Sequence, residues 1–188
     1  LFWGVFMLIA LMGGGQGLKE ILQNNFAGFA TNTAVIWSQN TTKPYKGFDK
    51  GRQWNMEVRD MERLCQQMPE LDVITPLLFG GRKTVVFGDK KFSGSTQGVN
   101  ADYAEVSAPK LFYGRYINEM DVKQQRKVCV IGEQIYKNLF PGGGDPCGKS
   151  LRVDSTYYTV VGVDYRSGNG VNFGGRADET LTLPQTVL

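Results

Sequence analysis

The sequence contains no histidine and only three cysteines. Without histidine, the chain lacks the usual base of Ser-His-Asp and Cys-His sites and the commonest side-chain metal ligand. Cys65, Cys129 and Cys147 stand far apart with no CxxC pair, which argues against a zinc site. One disulfide is compatible with this content, but the sequence does not choose its pair. We therefore assign no catalytic, cofactor-binding or metal-binding residue.

The excess of one sign of charge is also small, because 21 basic and 18 acidic residues give a net charge of only +3 at pH 7. We identify no basic stripe interleaved with aromatic residues, so the sequence gives no indication of nucleic-acid binding. Hydrophobic residues make up 41% of the chain and aromatic residues 12%, as in a folded protein. A chain of 188 residues holds one domain or two small subdomains.

The N-terminal stretch LFWGVFMLIALM carries no charge. As a helix it would span about 18 Å, which is short of a bilayer core of about 30 Å. We interpret residues 1–16 as the C-terminal part of a first transmembrane helix; the alternative is a buried helix of a soluble core. Apolar residues then recur at helical spacing over residues 18–29, which predicts an amphipathic helix that continues as a stalk.

The middle of the chain predicts an α+β arrangement. Asn55 is a candidate cap for a helix that ends at Met68, before Pro69. Gly88 and Asp89 lie between two β-prone runs and indicate a hairpin. The strands predicted outside residues 127–163 are 33–38, 72–79 with a bend at Pro76, 82–87, 91–99 and 180–183.

Residues 127–163 give the clearest pattern. Four apolar residues before Gly132 predict a buried strand, and residues 133–140 predict a short amphipathic helix. Pro141 and three glycines end that helix. Strands are predicted at residues 151–154 and 158–163, with a turn at Asp154 and Ser155.

Residues 143–150, GGDPCGKS, satisfy the phosphate-binding pattern G-x-x-x-x-G-K-[ST]. A functional loop of this kind lies between a strand and a helix whose N-terminus faces the phosphates. Here a helix precedes the loop and a strand follows Lys149, and Pro146 removes one N–H donor. We therefore interpret the segment as a turn, and we disfavour a nucleotide-binding enzyme that uses residues 143–150.

Two other sets of residues have both a functional and a structural interpretation. Arg115 and Asp121 are candidates for a paired site, but we favour a surface or inter-loop ion pair that contributes little stability. Trp37 and Trp54 are candidates for a binding platform, but we favour packing within the small core.

Ordered motifs run along most of residues 10–188. They are GGGQGL (13–18), PELDVITP (69–76), GVNADY (98–103), GRYI (114–117), KVCVIG (127–132), LF (139–140), DPCGKSL (145–151), TVVGV (159–163) and TLP (182–184). No single motif is specific. The ordered set resembles the MacB-like periplasmic core domain of MacB/FtsX-type ABC transporter permeases.

The resemblance implies a fold and a location. It implies a porter-like α+β subdomain formed by residues 17–99 and 179–188, and an inserted second α+β subdomain formed by residues 100–178. Both follow the end of a transmembrane helix, on the periplasmic side of the inner membrane. The resemblance also implies that DPCGKS is a turn before a strand.

The function implied is that of a non-catalytic domain that relays ATP-driven movement, either to export a substrate or to act on a periplasmic partner. The implied partners are an ABC ATPase subunit or domain, a second permease copy, and a periplasmic adaptor or outer-membrane protein. No cofactor is implied. The alternative function is a membrane-anchored periplasmic ligand-binding module without a motor.

Overall fold

The computed structural model describes residues 2–25, 33–166 and 175–188. Within these ranges the chain forms five α-helices and seven β-strands, which confirms the predicted α+β class. In chain order these elements are α1 (Phe2–Asn25), α2 (Val58–Gln67), β1 (Leu77–Phe87), β2 (Lys90–Val99), α3 (Tyr103–Ser107), β3 (Leu111–Gly114), α4 (Glu119–Lys123), β4 (Val128–Gly132), α5 (Glu133–Leu139), β5 (Ser150–Val153), β6 (Thr156–Asp164) and β7 (Thr180–Pro184).

The seven strands form one sheet in the order β3-β6-β4-β7-β2-β1-β5. Strand β5 also pairs with β6, so six of the strands close into a ring of hydrogen-bonded neighbours. Long β6 makes this possible, because its first residues pair with β5 and its last residues pair with β3 along the same edge. The pairs β2–β7 and β4–β6 are parallel, and the other pairs are antiparallel.

Two groups of buried residues form the core. The larger group lies between the sheet and α5, which packs on β2, β4 and β6. All five residues of β4 and of β7 are buried, as expected for strands at the centre of a sheet. The smaller group joins the α3 region and the residues after β3 to the ends of β2 and β4, through Val99, Tyr103, Tyr116, Ile117, Val128 and Val130.

The sequence predictions for residues 127–163 are confirmed. Strand β4, helix α5, and strands β5 and β6 occur in the predicted order, and Asp154 and Ser155 form the predicted turn. The hairpin at Gly88 and Asp89 and the last strand are also confirmed. Strand β3 and helices α3 and α4 are not among the predicted elements, because each has only four or five residues and shows little periodicity.

Three predictions in the first half of the chain are wrong. Residues 33–38 lie in an irregular segment, and Ile36 and Trp37 are exposed, so β-propensity alone does not create a strand there. Helix α2 has Glu57 at its N-cap instead of Asn55, because the Asp60 carboxylate accepts the Glu57 N–H. Strand β1 begins only after Pro76, with Leu77 as its first paired residue, so residues 72–76 are not part of a strand.

Helix α1 is continuous from Phe2 to Asn25 and runs through the glycines at positions 13–17. Its apolar residues from Phe2 to Met12 are exposed. None of the helices in the described ranges combines the length and the apolar character needed to cross a membrane. The interpretation of residues 1–16 as part of a transmembrane helix therefore stays a prediction, and residues 26–29 of the predicted stalk lie outside the described residues.

The division into residues 17–99 with 179–188 and residues 100–178 also stays a prediction. Strands β1 and β2 belong to the first unit, β3 to β6 belong to the second, and the sheet hydrogen-bonds all of them together. Residues 166–176, RSGNGVNFGGR, are rich in glycine and asparagine, a composition that predicts a loop. Residues 167–174 of this stretch lie outside the described residues.

Gly162 provides a test of the packing between β6 and the chain that follows β3. A Cβ atom at position 162 would lie 2.2 Å from the Arg115 carbonyl oxygen, which is a backbone atom held by the sheet. We expect Gly162→Ala to lower the free energy of unfolding by about 1–3 kcal/mol, the usual range for overpacking. Chemical denaturation measures this change.

The matched control is Gly142→Ala, because a Cβ atom at Gly142 would meet nothing within 4 Å. We expect the control to unfold at the wild-type denaturant concentration. Equal stability of the two variants would contradict the close approach of Gly162 to Arg115.

Candidate functional site

The segment that resembles a phosphate-binding loop, residues 143–150, joins α5 to β5. The order is helix, loop, strand, as predicted, and Ser150 is the first residue of β5. No helix begins at Lys149, so no helix N-terminus faces the loop at the position that phosphate binding requires. Gly143, Gly144 and Gly148 have positive φ angles, which suits a tight turn.

Four backbone N–H groups of this segment already donate hydrogen bonds within the protein. The N–H groups of Gly143, Cys147, Gly148 and Lys149 donate to Phe140, Asp145, Val160 and Pro146, respectively, at 2.8 to 3.1 Å. Pro146 has no N–H to offer. A phosphate would have to displace these bonds, so the loop is not a preformed anion cradle.

The side chain of Lys149 is also engaged. Its Nζ lies 5.0 Å from the ring centroid of Phe140 and 5.8 Å from that of Phe87. The two rings contact each other, with centroids 4.5 Å apart. Lys149 therefore covers the aromatic pair by a cation–π contact. This contact joins the residue before β5 to the end of β1 and to the residue after α5.

Arg115 and Asp121 form an ion pair, as predicted, between the segment after β3 and α4; it is not a surface pair, because the Asp121 side chain is fully buried. Arg115 binds the carboxylate through two bonds, Nη1 to Oδ2 at 2.5 Å and Nη2 to Oδ1 at 3.0 Å. Asp121 also exchanges hydrogen bonds with Asn118 as a capping box at the start of α4. A second cation, Arg126, lies 3.7 Å from Oδ1.

The electrostatic balance at Asp121 favours its ionised form. Burial alone raises the pKa of Asp121. The hydrogen bonds from Arg115 and Asn118 and the charges of Arg115 and Arg126 outweigh that effect, so the pKa lies below the ordinary value for aspartate. Because all the partners of the Asp121 carboxylate are supplied by the protein, this ion pair has a structural role and links α4 to the segment after β3.

A second ion pair has almost no signal in the sequence. Arg166 and Asp164 are both nearly buried, with Nη2 2.6 Å from Oδ2. Arg166 also donates to the Ser107 carbonyl oxygen, and Asp164 accepts the Lys110 N–H, so the pair ties the end of β6 to α3 and to the start of β3. Sequence reasoning missed this ion pair. Its one indication in the sequence is an aspartate at the end of an apolar run, followed two residues later by an arginine.

The three cysteines are free thiols in three different environments. Cys65 is exposed on α2, and Cys129 is buried in β4, where burial raises its pKa. Cys147 is partly buried in the glycine loop, and burial together with the nearby Asp145 raises its pKa to about 11. Neither Cys129 nor Cys147 is a thiolate at neutral pH, so neither resembles an activated nucleophile.

No cluster of histidine, cysteine or acidic side chains suited to a metal is found among the residues that the structure describes.

The tryptophans do not pack in the core as expected. Trp37 is 62% exposed and Trp54 is 44% exposed. The expectation that no basic stripe interleaves with aromatics is also wrong locally, since Lys43, Lys46, Lys50 and Arg52 alternate with exposed aromatic residues before Trp54.

Comparison with known proteins gives a consistent result. The family model of the MacB-like periplasmic core domain matches residues 1–188. The macrolide export ATP-binding/permease protein MacB of Syntrophobacter fumaroxidans is 27% identical over 187 residues, which are 98% of this chain and 26% of that protein. MacB of Psychrobacter arcticus is 26% identical over 189 aligned residues, which cover 98% of this chain and 27% of that protein. The chain thus spans about a quarter of the length of these relatives.

Solved structures share the fold. The periplasmic region of MacB from Actinobacillus actinomycetemcomitans has a TM-score of 0.60 at 24% identity, with 85% of this chain and 68% of that chain covered. The extracellular domain of the ABC-type transporter YknZ from Gram-positive bacteria has a TM-score of 0.59 at 16% identity, with 71% and 64% covered. At these identities the likeness concerns the fold.

The buried carboxylate of Asp121 gives a pH-dependent test of this site. Because its pKa is lower in the folded than in the unfolded protein, its contribution is complete above the unfolded pKa of about 3.9 and is lost as the pH falls through the folded value. We expect Asp121→Asn to lower the free energy of unfolding by about 2 kcal/mol at pH 7. Below about pH 4 the difference from wild type should shrink.

The control is Glu119→Gln on the same helix, where the ion pair with Lys123 is exposed and is worth less than about 1 kcal/mol. Denaturation curves at pH 7 and at pH 3 measure both variants. A difference between wild type and Asp121→Asn that is the same at both pH values would contradict the ionised, buried carboxylate.

Proposed function

Because the chain belongs to the family of MacB-like periplasmic core domains, we propose that it is the non-catalytic extracytoplasmic domain of an ABC transporter permease. In this proposal the domain lies on the periplasmic side of the inner membrane. It relays ATP-driven movement from the cytoplasmic side, and the movement exports a substrate or acts on a periplasmic partner.

Helix α1 is the observation that carries the proposal. It is continuous over 24 residues, or about 36 Å, and its first half exposes apolar side chains such as Phe6, Ile9 and Leu11. An apolar exposed half is suited to a bilayer, and the following half contains the charged residues Lys19 and Glu20. One unbroken helix between the two environments is suited to transmit a displacement.

The closed sheet supports the second part of the proposal. A domain that passes on a movement has to move as a body, and proteins commonly switch by such rigid-body shifts. In the ring of six strands, β2 of the β1–β2 hairpin is hydrogen-bonded to β7, and β1 is hydrogen-bonded to β5. The two buried ion pairs at Asp121 and Asp164 fasten the remaining short helices to this sheet.

The partners in the proposal follow from the relatives, whose names describe ATP-binding/permease proteins. An ABC ATPase subunit or domain would supply the movement, a second permease copy would form a dimer, and a periplasmic adaptor or outer-membrane protein would receive the movement. The turn-like geometry of residues 143–150 agrees with an ATPase that lies elsewhere in the transporter.

The relay is tested in the complete transporter, reconstituted in proteoliposomes, without knowledge of the cargo. A fluorophore is placed on the domain through Lys91→Cys, an exposed position, with Cys65→Ser and Cys147→Ser as background. We expect ATP to change the fluorescence. Gly14→Pro should abolish this change while ATP hydrolysis continues, because proline breaks the hydrogen-bond ladder of α1.

The matched control is Gly14→Ala, which keeps the helix and favours it by about 1 kcal/mol; it should retain the ATP-dependent signal. An unchanged signal in Gly14→Pro would contradict a relay through α1. A complex that contains no ATPase and gives no ATP-dependent signal would instead favour the membrane-anchored ligand-binding module.

A further inference from the structure

Residues 41–52 form a closed loop between the irregular segment and α2. The neck is held by three hydrogen bonds between Thr41 and the pair Gly51 and Arg52, at 2.6 to 3.1 Å. At the tip, Tyr45 and Phe48 exchange two backbone hydrogen bonds of 3.1 Å around Lys46 and Gly47. Both turn residues have positive φ angles, as in a two-residue hairpin turn. We call residues 41–54 the basic loop.

The basic loop carries the net charge of the whole protein. It contains four cations, Lys43, Lys46, Lys50 and Arg52, and one acid, Asp49, which gives it +3, the same value as the entire chain. Cationic and acidic residues are therefore equal in number everywhere else. None of the ion pairs found among the described residues involves these four cations, and all four are exposed.

Aromatic side chains alternate with the cations and are exposed beside them. Tyr45 is 69% exposed and Phe48 is 58% exposed. The Arg52 guanidinium lies 4.6 Å from the Phe48 ring centroid, and Lys46 Nζ lies 5.4 Å from the Tyr45 centroid. These cation–π contacts hold Lys46 against Tyr45 and Arg52 against Phe48, and Trp54, two residues after Arg52, is 44% exposed.

We propose that the basic loop docks on a membrane surface that contains anionic phospholipid. Cations near such a surface attract lipid phosphates, and tyrosine and tryptophan rings are suited to the headgroup region. A second argument, which rests on the proposed function, comes from the exposed apolar turns of α1, because that proposal places them in the membrane. Fifteen residues separate Asn25 from Thr41, a span of up to about 50 Å, so the loop can reach the membrane surface on which the proposed function places α1.

A nucleic acid is the less suitable polyanion. Binding to a nucleic acid depends largely on many Lys and Arg contacts to phosphates, whereas this loop has four cations and the rest of the chain has no excess of them. Headgroups are mobile and gather around a small cationic patch, and a bilayer also accepts the apolar rings. The docking requires no motor, so it stands independently of the proposed relay.

The test uses the 188-residue chain bound to vesicles of phosphatidylcholine, with or without 30% phosphatidylglycerol. Replacing Trp3 and Trp37 by phenylalanine leaves Trp54 as the single tryptophan. We expect anionic vesicles to shift Trp54 emission to the blue and brominated acyl chains to quench it. High salt should reverse both effects. Three net charges at about fivefold each predict about hundredfold tighter partition into anionic than into neutral vesicles.

The ratio of the two partition constants cancels the contribution of α1, which is the same in both vesicles. In the variant with Lys43, Lys46, Lys50 and Arg52 changed to serine, the ratio of partition constants should fall close to one, and the blue shift of Trp54 emission should disappear. The control removes four exposed cations elsewhere, at Lys90, Lys91, Lys110 and Arg152, so its total charge is identical; it should keep both.

Two results would overturn the proposal. If the loop variant and the control lost the preference for anionic vesicles to the same extent, total charge, and not the loop, would select the anionic lipid. A Trp54 that stays in water on anionic vesicles but responds to a single-stranded oligonucleotide would assign the loop to nucleic acid instead.

Discussion

The pairing of β5 with β1 is the constraint on which the rest of the sheet depends. Only two residue pairs form this ladder, Val85 with Val153 and Val86 with Arg152. Asp154 extends it, because its backbone N–H donates to the Thr84 carbonyl at 3.0 Å and its carboxylate accepts the Thr84 N–H at 3.1 Å. Asp154 adopts a positive φ of 50° to do so. Through these contacts the early β1–β2 hairpin and the late β5–β6 hairpin close one sheet.

Closure also organises what the domain presents to its surroundings. With the strands bonded in a ring, apolar residues of β5, β6 and β7 and one face of β4, with Cys129 and Ile131, share a core that α5 covers. Outside this core, the apolar residues from Phe2 to Met12 of α1 and the aromatic rings of the basic loop are exposed. In the proposed transporter, this division separates a body that moves as one unit from the segments that meet the membrane.

The sequence predicted the elements whose signals are local. The apolar run before Gly132 and the glycine loop after α5 specify strand, helix and strand without any tertiary partner. The same reasoning failed where a partner decides the outcome. Trp37 has high β-propensity but lies in an irregular segment. Asp121 looked like half of a surface pair because nothing in the sequence shows that α4 buries it under Arg115. The net charge of the whole chain does not reveal that its positive excess lies in the basic loop.

Native-state hydrogen exchange is the most direct test of the closed sheet. If β5 joins the two hairpins into one unit, amides of β1, β4 and β7 should open with one common free energy and one common dependence on denaturant. Exchange of the β1–β2 hairpin through a separate opening of lower free energy, with β4 and β7 still protected, would contradict closure by β5. The sheet would then consist of two bodies that open independently, and the β5–β1 pairing would not hold them together.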